Sequence, residues 1–382
     1  MGDDILKRKI LYITGARSDY GIMGSVLKEM VAHNLQVEIL ALGMHMMPEF
    51  GLTLNDVKKS GLPVHVVNAT YEKDDRASMS KFIGESIVGI TKKVSEIKPD
   101  IILVLGDRGE ILASAVTGAY LGIPVAHIHG GEVSETVDEY ARHAISKLSN
   151  IHFPSTKKSK ERLIRLGERE KYIFCVGAPG LDDLLSSKIL PDEAIYKKYN
   201  LDESRPIIVA TMHPVSEDIQ NAPRQIETML EALKGHQTIL IYPNADAGGR
   251  EMIKGIERYK NTEGFHIHKS IPREDFFNIL RLASAVVGNS SGGIIEACSF
   301  HLPVVNIGNR QNGREREVNV IDVGYDTEDI KKAIHNALGN NIKELLAQVK
   351  NPYGNGTAGK QIAKILAEIE INEELLHKKI TY

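Results

Sequence analysis

The chain carries only two cysteines, Cys175 and Cys298, far apart in 382 residues and without a C-x-x-C spacing. A disulfide framework and a zinc ribbon are thereby excluded. Net charge is also nearly absent, at −3, so no general attraction to nucleic acid or acidic membranes is expected. Any anionic ligand must be held by local cations and helix ends. Long apolar runs are missing too: nothing approaches the roughly 18 residues of a membrane span. The opening Met1-Gly2-Asp3-Asp4 lacks an apolar signal core, and Leu6 stands where myristoylation wants Ser or Thr. These absences give the expectation of a cytoplasmic protein with neither a membrane nor a nucleic acid as partner.

What is present is ordinary for a globular metabolic protein: 42% hydrophobic residues, 25% charged and 33 glycines. The length exceeds what one hydrophobic core supports, so two domains are expected. The stretch from Asp100 to Asn150 organises the rest. An apolar run at 101–105 stops at Gly106-Asp107-Arg108, and a helical pattern continues to about Leu121. A second apolar run at 123–128 stops at His129-Gly130-Gly131-Glu132. Apolar strands separated by a helix make a parallel β-α-β unit. Ligands of open α/β sheets sit at the carboxyl ends of the strands. Asp107, Arg108, His129 and Glu132 therefore share one crevice in this reading.

Residues 9–14 read as a first strand, followed by a loop at 15–21, a helix at about 22–32 and a strand at 36–42. The loop is not G-x-G-x-x-G, which counts against a dinucleotide. A glycine-flanked loop opening a helix still suits a phosphate, and Arg17 adds charge; a plain turn with a surface arginine serves equally well. His45 closes the second strand, where a lone histidine is more often packed or solvated than catalytic. Asp74-Asp75-Arg76 reads as a solvated loop and 79–97 as a helix. Strands are expected at 151–154 and 172–177, with a helix at 157–166 between them. A second series of strands follows at 206–212, 237–242, 265–268, 285–288 and 303–307. Two doubly wound α/β domains are thus expected, at 1–180 and 181–357. A C-terminal helical segment at 358–382 is expected to fold back across their junction.

The strongest signal in the second half is Gly288-Asn289-Ser290-Ser291-Gly292-Gly293, leading into Glu296. A strand ends, two hydroxyls and two glycines turn the chain, and a helix begins. Free backbone N–H groups and the helix dipole favour a diphosphate there, with Glu296 suited to ribose hydroxyls. Arg310, Arg314 and Arg316 follow a later strand and could pair with phosphate oxygens. Glu315 and Glu317 alternate with two of them, so a surface ion-pair network is the rival. His213, Asn244 and Asp246 also close strands. In the first half, Thr136 and Glu139 fit a capping box, which places Asp138 in the first helical turn and favours its ionised form. His127 and His129 alternate along a strand and share a face, with His143 on the next helix. A metal held by these histidines and Glu132 is disfavoured, since the adjacent Arg108 brings a cation; no metal and no cofactor are expected.

These motifs resemble one known family. T-G-A-R-S-D-Y at 14–20, G-D-R at 106–108, H-I-H-G-G-E at 127–132, D-E-x-x-R-H at 138–143, M-H-P-V at 212–215, Y-P-N-A-D at 242–246, G-N-S-S-G-G at 288–293 and N-I-G-N-R-Q-x-G-R-E at 306–315 lie in order over nearly the whole chain. They are similar to those of the hydrolysing UDP-N-acetylglucosamine 2-epimerases of sialic acid biosynthesis. The resemblance implies two Rossmann-like domains of glycosyltransferase-B type with a UDP-sugar in the interdomain cleft, and release of UDP and N-acetylmannosamine. It implies that His213, Ser290, Ser291, Gly292, Glu296, Arg310 and Arg314 lie near the diphosphate and ribose. Arg17, His45, Arg108, Asn244 and Asp246 join them as substrate-binding residues. The family's acid/base carboxylates map onto Asp107 and Asp138. Where several members carry a third, a glutamate, this chain has His129, so either His129 or Glu132 takes that role. His213 assists at phosphate.

The implied chemistry is elimination of UDP as the C2 proton is taken, followed by hydration of the glycal from the other face. The substrate stays open between UDP-N-acetylglucosamine and the 2,4-diacetamido-2,4,6-trideoxy sugar of legionaminic acid synthesis. A glycosyltransferase, a non-hydrolysing epimerase and a non-catalytic nucleotide-sugar sensor are the alternatives. A homo-oligomer, dimer or tetramer, is expected.

Overall fold

The computed structural model describes residues 7–382 apart from 49–50, 72, 74, 135–136, 216–217, 245, 340–345 and 347–348, and apart from the side chains of Val137 and Leu185. Two compact units emerge. Unit one is Met1–Glu132, Asp138–Leu185 and Tyr353–Tyr382; unit two is Val133–Val137 and Ser186–Pro352.

Unit one is built on six described strands: β1 (Lys9–Thr14), β2 (Gln36–Ala41), β3 (Val64–Val66), β4 (Ile101–Leu105), β5 (Val125–Ile128) and β6 (Ile151–Phe153). They pair in the order β3-β2-β1-β4-β5-β6, all parallel. The reason is legible along β4. Ile101, Leu103 and Leu105 enter one apolar cluster, while Ile102 and Val104 enter the cluster on the opposite face. A strand buried on both faces needs helices above and below it, which crossover connections supply. The long helix Arg76–Ile97 and the helix Gly109–Leu121 pack against each other. The C-terminal helix Ala358–Glu368 packs on the helix Gly24–Ala32. Asp182 accepts from the N–H of Ala358 at its start, and Arg8 donates to the carbonyl of Ala367 at its end.

Unit two repeats the design with β7 (Ile207–Thr211), β8 (Gln237–Ile241), β9 (Phe265–His268), β10 (Ala285–Gly288), β11 (Val304–Ile307) and β12 (Val320–Val323). The order is β12-β11-β10-β7-β8-β9, again all parallel. Ile208 and Ala210 of β7 face one cluster, and Ile207 and Val209 the other.

Several expected elements differ. The segment 172–177 is not a strand: a 3-10 turn covers Glu170–Tyr172, and Ile173 makes a single bridge to His152. The place of a sixth strand goes to β3, three residues long, where Pro63 and His65 interrupt the apolar residues. The edge strand β12 is likewise hard to read from sequence, because Asp322 breaks its apolar pattern. Arg76 opens a helix instead of ending a loop, since the Asp75 carboxylate accepts from Ser78 N at 2.7 Å and caps it. The C-terminal helix stops at Glu368 and resumes only for Glu373–Leu376. Thr136 of the expected capping box and Asp74 lie outside the described residues.

Candidate active site

Each sheet reverses its winding once. In unit one the strands progress outward from β1 in one direction and from β4 in the other; in unit two the reversal falls between β7 and β10. Loops after the two strands at such a switch point diverge and leave room for a ligand. The loops after β1 and β4 carry Arg17, Asp107 and Arg108. Those after β7 and β10 carry His213, Ser290 and Ser291.

After β4 the chain turns at Gly106, whose φ of +84° is open to glycine. Asp107 then meets Arg142, whose Nη2 donates to its Oδ2. Arg142 is 2% exposed, yet both terminal nitrogens of its guanidinium have partners: Nη1 donates to Glu139 Oε2 at 2.8 Å and to the Glu132 carbonyl at 3.2 Å. Burial alone would favour the neutral guanidine; the charges of Asp107, Glu132 and Glu139 overcome this and hold Arg142 protonated. Arg142 lies on the helix Val137–Leu148, one turn beyond Asp138, which sits in the first turn where the dipole favours a carboxylate. Glu139 also meets His143 Nε2 at 2.8 Å. One buried cation thus gathers the acids expected after β4 and β5.

After β5 the chain does not continue as a strand. His129 has φ +66°, in the left-handed region that non-glycine residues seldom adopt. The expectation that His127 and His129 share a strand face is therefore corrected. His127 lies inside the fold, with Nε2 2.8 Å from the Gly106 carbonyl and Nδ1 3.1 Å from Ser146 Oγ. Burial drives its pKa down to about 3, so it stays neutral. His129 faces the other way, with Nδ1 2.9 Å from the Glu132 carboxylate. Its Nε2 has no hydrogen-bond partner among the described residues. Gly131 permits the tight turn between the two, because a Cβ there would lie 2.2 Å from the Ser159 carbonyl.

Arg17 opens the short helix Arg17–Ile22 and is half-buried. Arg108 reaches back to this loop, its Nε 3.8 Å from Asp19 and its Nη1 3.5 Å from Met44 Sδ. Burial raises the pKa of Asp19, with Arg108 pulling the other way. His45, expected among the substrate-binding residues, is wholly buried. Its Nε2 lies 3.1 Å from Thr14 Oγ1 and its Nδ1 2.8 Å from Thr53 Oγ1. Burial, helped by Arg108, lowers its pKa to about 4. Both ring nitrogens serve the fold, so His45 is a packing residue in this arrangement.

In unit two Asn289 joins the loops. Its Oδ1 accepts from His213 N at 2.7 Å and its Nδ2 donates to the His213 carbonyl at 2.8 Å. Its own carbonyl accepts from Gln311 Nε2 at 2.9 Å and Arg310 Nη1 at 3.3 Å. Gly288 makes this closure possible: a Cβ at that position would lie 1.9 Å from the Thr211 carbonyl. The backbone N–H of Asn244 donates to His213 Nδ1 at 3.0 Å. A neutral His213 must then carry its proton on Nε2, as a donor. Asn244 Nδ2 donates to Asp246. The helix after Ser290 is only Ser291–Ile295, continued by a 3-10 turn. A long helix dipole is therefore not what this loop offers; its local N–H groups and hydroxyls are. Glu296 is buried and pairs with Arg273, which stacks over Phe277 at 4.2 Å. Arg314 is half-buried beside this loop's continuation, while Arg316 is committed to Asp322 and the Gln311 carbonyl.

Arg142, Asn289 and Arg273 are the residues that reading the sequence underrates. Asn289 and Arg142 stand inside the motifs, and the i,i+3 spacing of Glu139 and Arg142 is a usable signal. Arg273 has none, because its partner lies 23 positions away. Among the described residues no group of three or more His, Cys, Asp or Glu side chains is placed to hold a metal ion.

A family model described as UDP-N-acetylglucosamine 2-epimerase matches residues 28–367. The chain belongs to the UDP-N-acetylglucosamine 2-epimerase family. Among this family, a Legionella pneumophila protein named UDP-N,N'-diacetylbacillosamine 2-epimerase (hydrolyzing) is 40% identical over 98% of this chain and 100% of its own length. A Neisseria meningitidis protein named UDP-N-acetylglucosamine 2-epimerase is 34% identical over 86% of this chain and 87% of its own. The fold is likewise that of epimerase structures. The crystal structure of the UDP-GlcNAc 2-epimerase from Neisseria meningitidis bound to UDP-GlcNAc superposes with a TM-score of 0.80, over 94% of this chain and 100% of that one, at 22% identity. The two doubly wound, Rossmann-like sheets of glycosyltransferase-B type expected from the motifs are thus those of this family.

Proposed function

We propose that this epimerase is hydrolysing: it converts a UDP-linked 2-acetamido hexose and water into UDP and the free sugar inverted at C2. A base takes the C2 proton as the bond from C1 to the β-phosphate oxygen breaks, and the electron pair leaves with UDP. Water then adds to C1 of the glycal while C2 is protonated from the opposite face. The observation that carries the reading is His129 Nε2, buried and without a hydrogen-bond partner among the described residues, on a ring whose Nδ1 lies 2.9 Å from the Glu132 carboxylate. An imidazole nitrogen so placed can take a proton from a substrate, with the carboxylate beside the ring to meet the charge. This reading replaces the choice between His129 and Glu132 by a pair. Asp107, held by Arg142, and Asp138 supply the second proton transfer.

UDP is assigned to unit two. His213 Nε2–H, the N–H groups and hydroxyls of Ser290, Ser291 and Gly292, and Arg310 and Arg314 meet the charge that develops on the leaving diphosphate. Glu296, oriented by Arg273, is assigned to the ribose, with Asn244 and Asp246 nearby. Arg17 and Arg108 serve the substrate from unit one.

Two sugars fit this chemistry, UDP-N-acetylglucosamine and its 4-acetamido-6-deoxy analogue. Identity of 40% along the full length of the Legionella pneumophila relative favours the second. The test is turnover of both UDP-sugars in deuterated water, with the released sugar identified by mass and NMR. Deuterium at C2 of a free, inverted sugar is expected. Retention of the original hydrogen, or release of an intact UDP-sugar epimer alone, overturns the proposal.

A further inference from the structure

A cavity of about 610 Å³ opens at the carboxyl ends of β11 and β12, and no residue assigned above lines it. Its lining includes the carboxylate of Asp218, the amides of Asn309 and Asn312, the Tyr325 ring, and the apolar walls of Val215 and Val323. We propose that this cavity takes the acetamido group that the diacetamido sugar carries at C4, and so sets which UDP-sugar the enzyme prefers. The inference deepens the proposed function and rests on it for the identity of the ligand.

The first argument is position. The loop from Gly308 to Asn312 forms one wall, and the same loop sends Arg310 and Gln311 to the Asn289 carbonyl. Cavity wall and phosphate loop are one hydrogen-bonded piece, so a group attached to a bound diphosphate starts close to the opening.

The second argument is chemistry. The lining residues include no Lys, Arg or His, which disfavours a phosphate or carboxylate ligand. Asp218 is held in place by the amides of Asn221, at 2.6 Å, and Gln225, at 2.7 Å, and its oxygens can still accept an N–H. The Tyr325 hydroxyl is out of contact with solvent and has no hydrogen-bond partner among the described residues. It rests against Gly308, where a Cβ would lie 2.2 Å from the hydroxyl oxygen. A donor without an acceptor beside a cavity asks for a carbonyl oxygen from outside. An acetamido group supplies an N–H for the carboxylate, a carbonyl for the phenol or an asparagine amide, and a methyl for the valines. A sugar hydroxyl matches only part of this set.

The test adds Tyr325→Phe or Asn309→Ala to the His129→Gln chain, in which turnover is slowed, and measures calorimetric Kd values for UDP, UDP-N-acetylglucosamine and the UDP-diacetamido sugar. The expected result is a Kd for the diacetamido compound raised about tenfold in each variant, the loss of one hydrogen bond. UDP and UDP-N-acetylglucosamine should change less than about threefold, which also shows that the variants fold. Unchanged affinity for the diacetamido sugar overturns the proposal. So does an equal loss for UDP, which would assign the cavity to the uracil. Binding is read without turnover, so a parent protein that binds the sugar in this way but fails to hydrolyse it removes the proposed function and leaves the cavity's assignment standing.

Discussion

The carboxylate of Glu132 lies 2.9 Å from Nδ1 of His129, three residues back across a left-handed turn. The pair is held nearly out of water, with side-chain exposures of 5% and 12%. The carboxylate sits beside the ring as a charge, and Nε2 on the far side has no hydrogen-bond partner among the described residues.

Replacing His129 by Gln should lower kcat by about two to four orders of magnitude, the usual worth of a positioned acid or base. Glu132→Gln should cost less, since it removes orientation and charge but leaves the imidazole. Steady-state release of UDP is the measurement, and equal, near-parental kcat values in both variants would defeat the assignment.

Arg142→Leu should destabilise unit one by roughly 3–5 kcal/mol, because it leaves the acids that the guanidinium gathers without their buried partner. Arg142→Lys should recover only part of this, since an ammonium cannot reproduce the fork that serves Asp107, Glu139 and the Glu132 carbonyl. Urea unfolding of the three proteins checks the order.

In unit two, His213→Phe keeps the ring but removes both the acceptor for Asn244 N and the Nε2 donor. UDP affinity should fall by about tenfold or more, as for loss of a hydrogen bond to a charged group. His213→Gln, which can still donate, should lose less. Calorimetric titration with UDP distinguishes this from a purely structural role, in which the two variants would weaken equally.

Stability should fall as the medium is acidified below neutrality. Burial lowers the pKa of His127 to about 3 and that of His45 to about 4, from an ordinary 6.5. Between those values and 6.5 the unfolded chain binds protons that the folded chain does not. The contribution is therefore complete above about 6.5 and is lost progressively as pH falls toward 3 to 4. Chemical denaturation at a series of pH values should show this slope, and His127→Gln should make it shallower.

Much of this was legible along the chain. Ten of the twelve described strands coincide with apolar runs, because a parallel strand buried on both faces must be apolar throughout. The exceptions, β3 and β12, are edge strands, one of them three residues long and the other interrupted by Asp322. The segment 172–177 reads as a strand because its apolar residues pack on the core; it lies along the sheet edge, Phe174 N and Val176 N donating to the His152 and Pro154 carbonyls, but makes only the one bridge at Ile173.

The order of the motifs and the turns at Gly106, Gly131 and Gly288 follow from sequence alone, since glycine at a strand end marks where the backbone must bend or come close. What each polar side chain does was decided by tertiary structure. His45 and His129 are alike as strand-end histidines, yet one is sealed between Thr14 and Thr53 and the other keeps a nitrogen without a partner among the described residues. Arg142 and Arg273 acquire their acids, and Asn289 its place joining two loops, only when distant segments meet. Hydrogen bonds and ion pairs act over a few ångströms in space, and partners 23 to 76 positions apart leave no periodic trace for a local pattern to register.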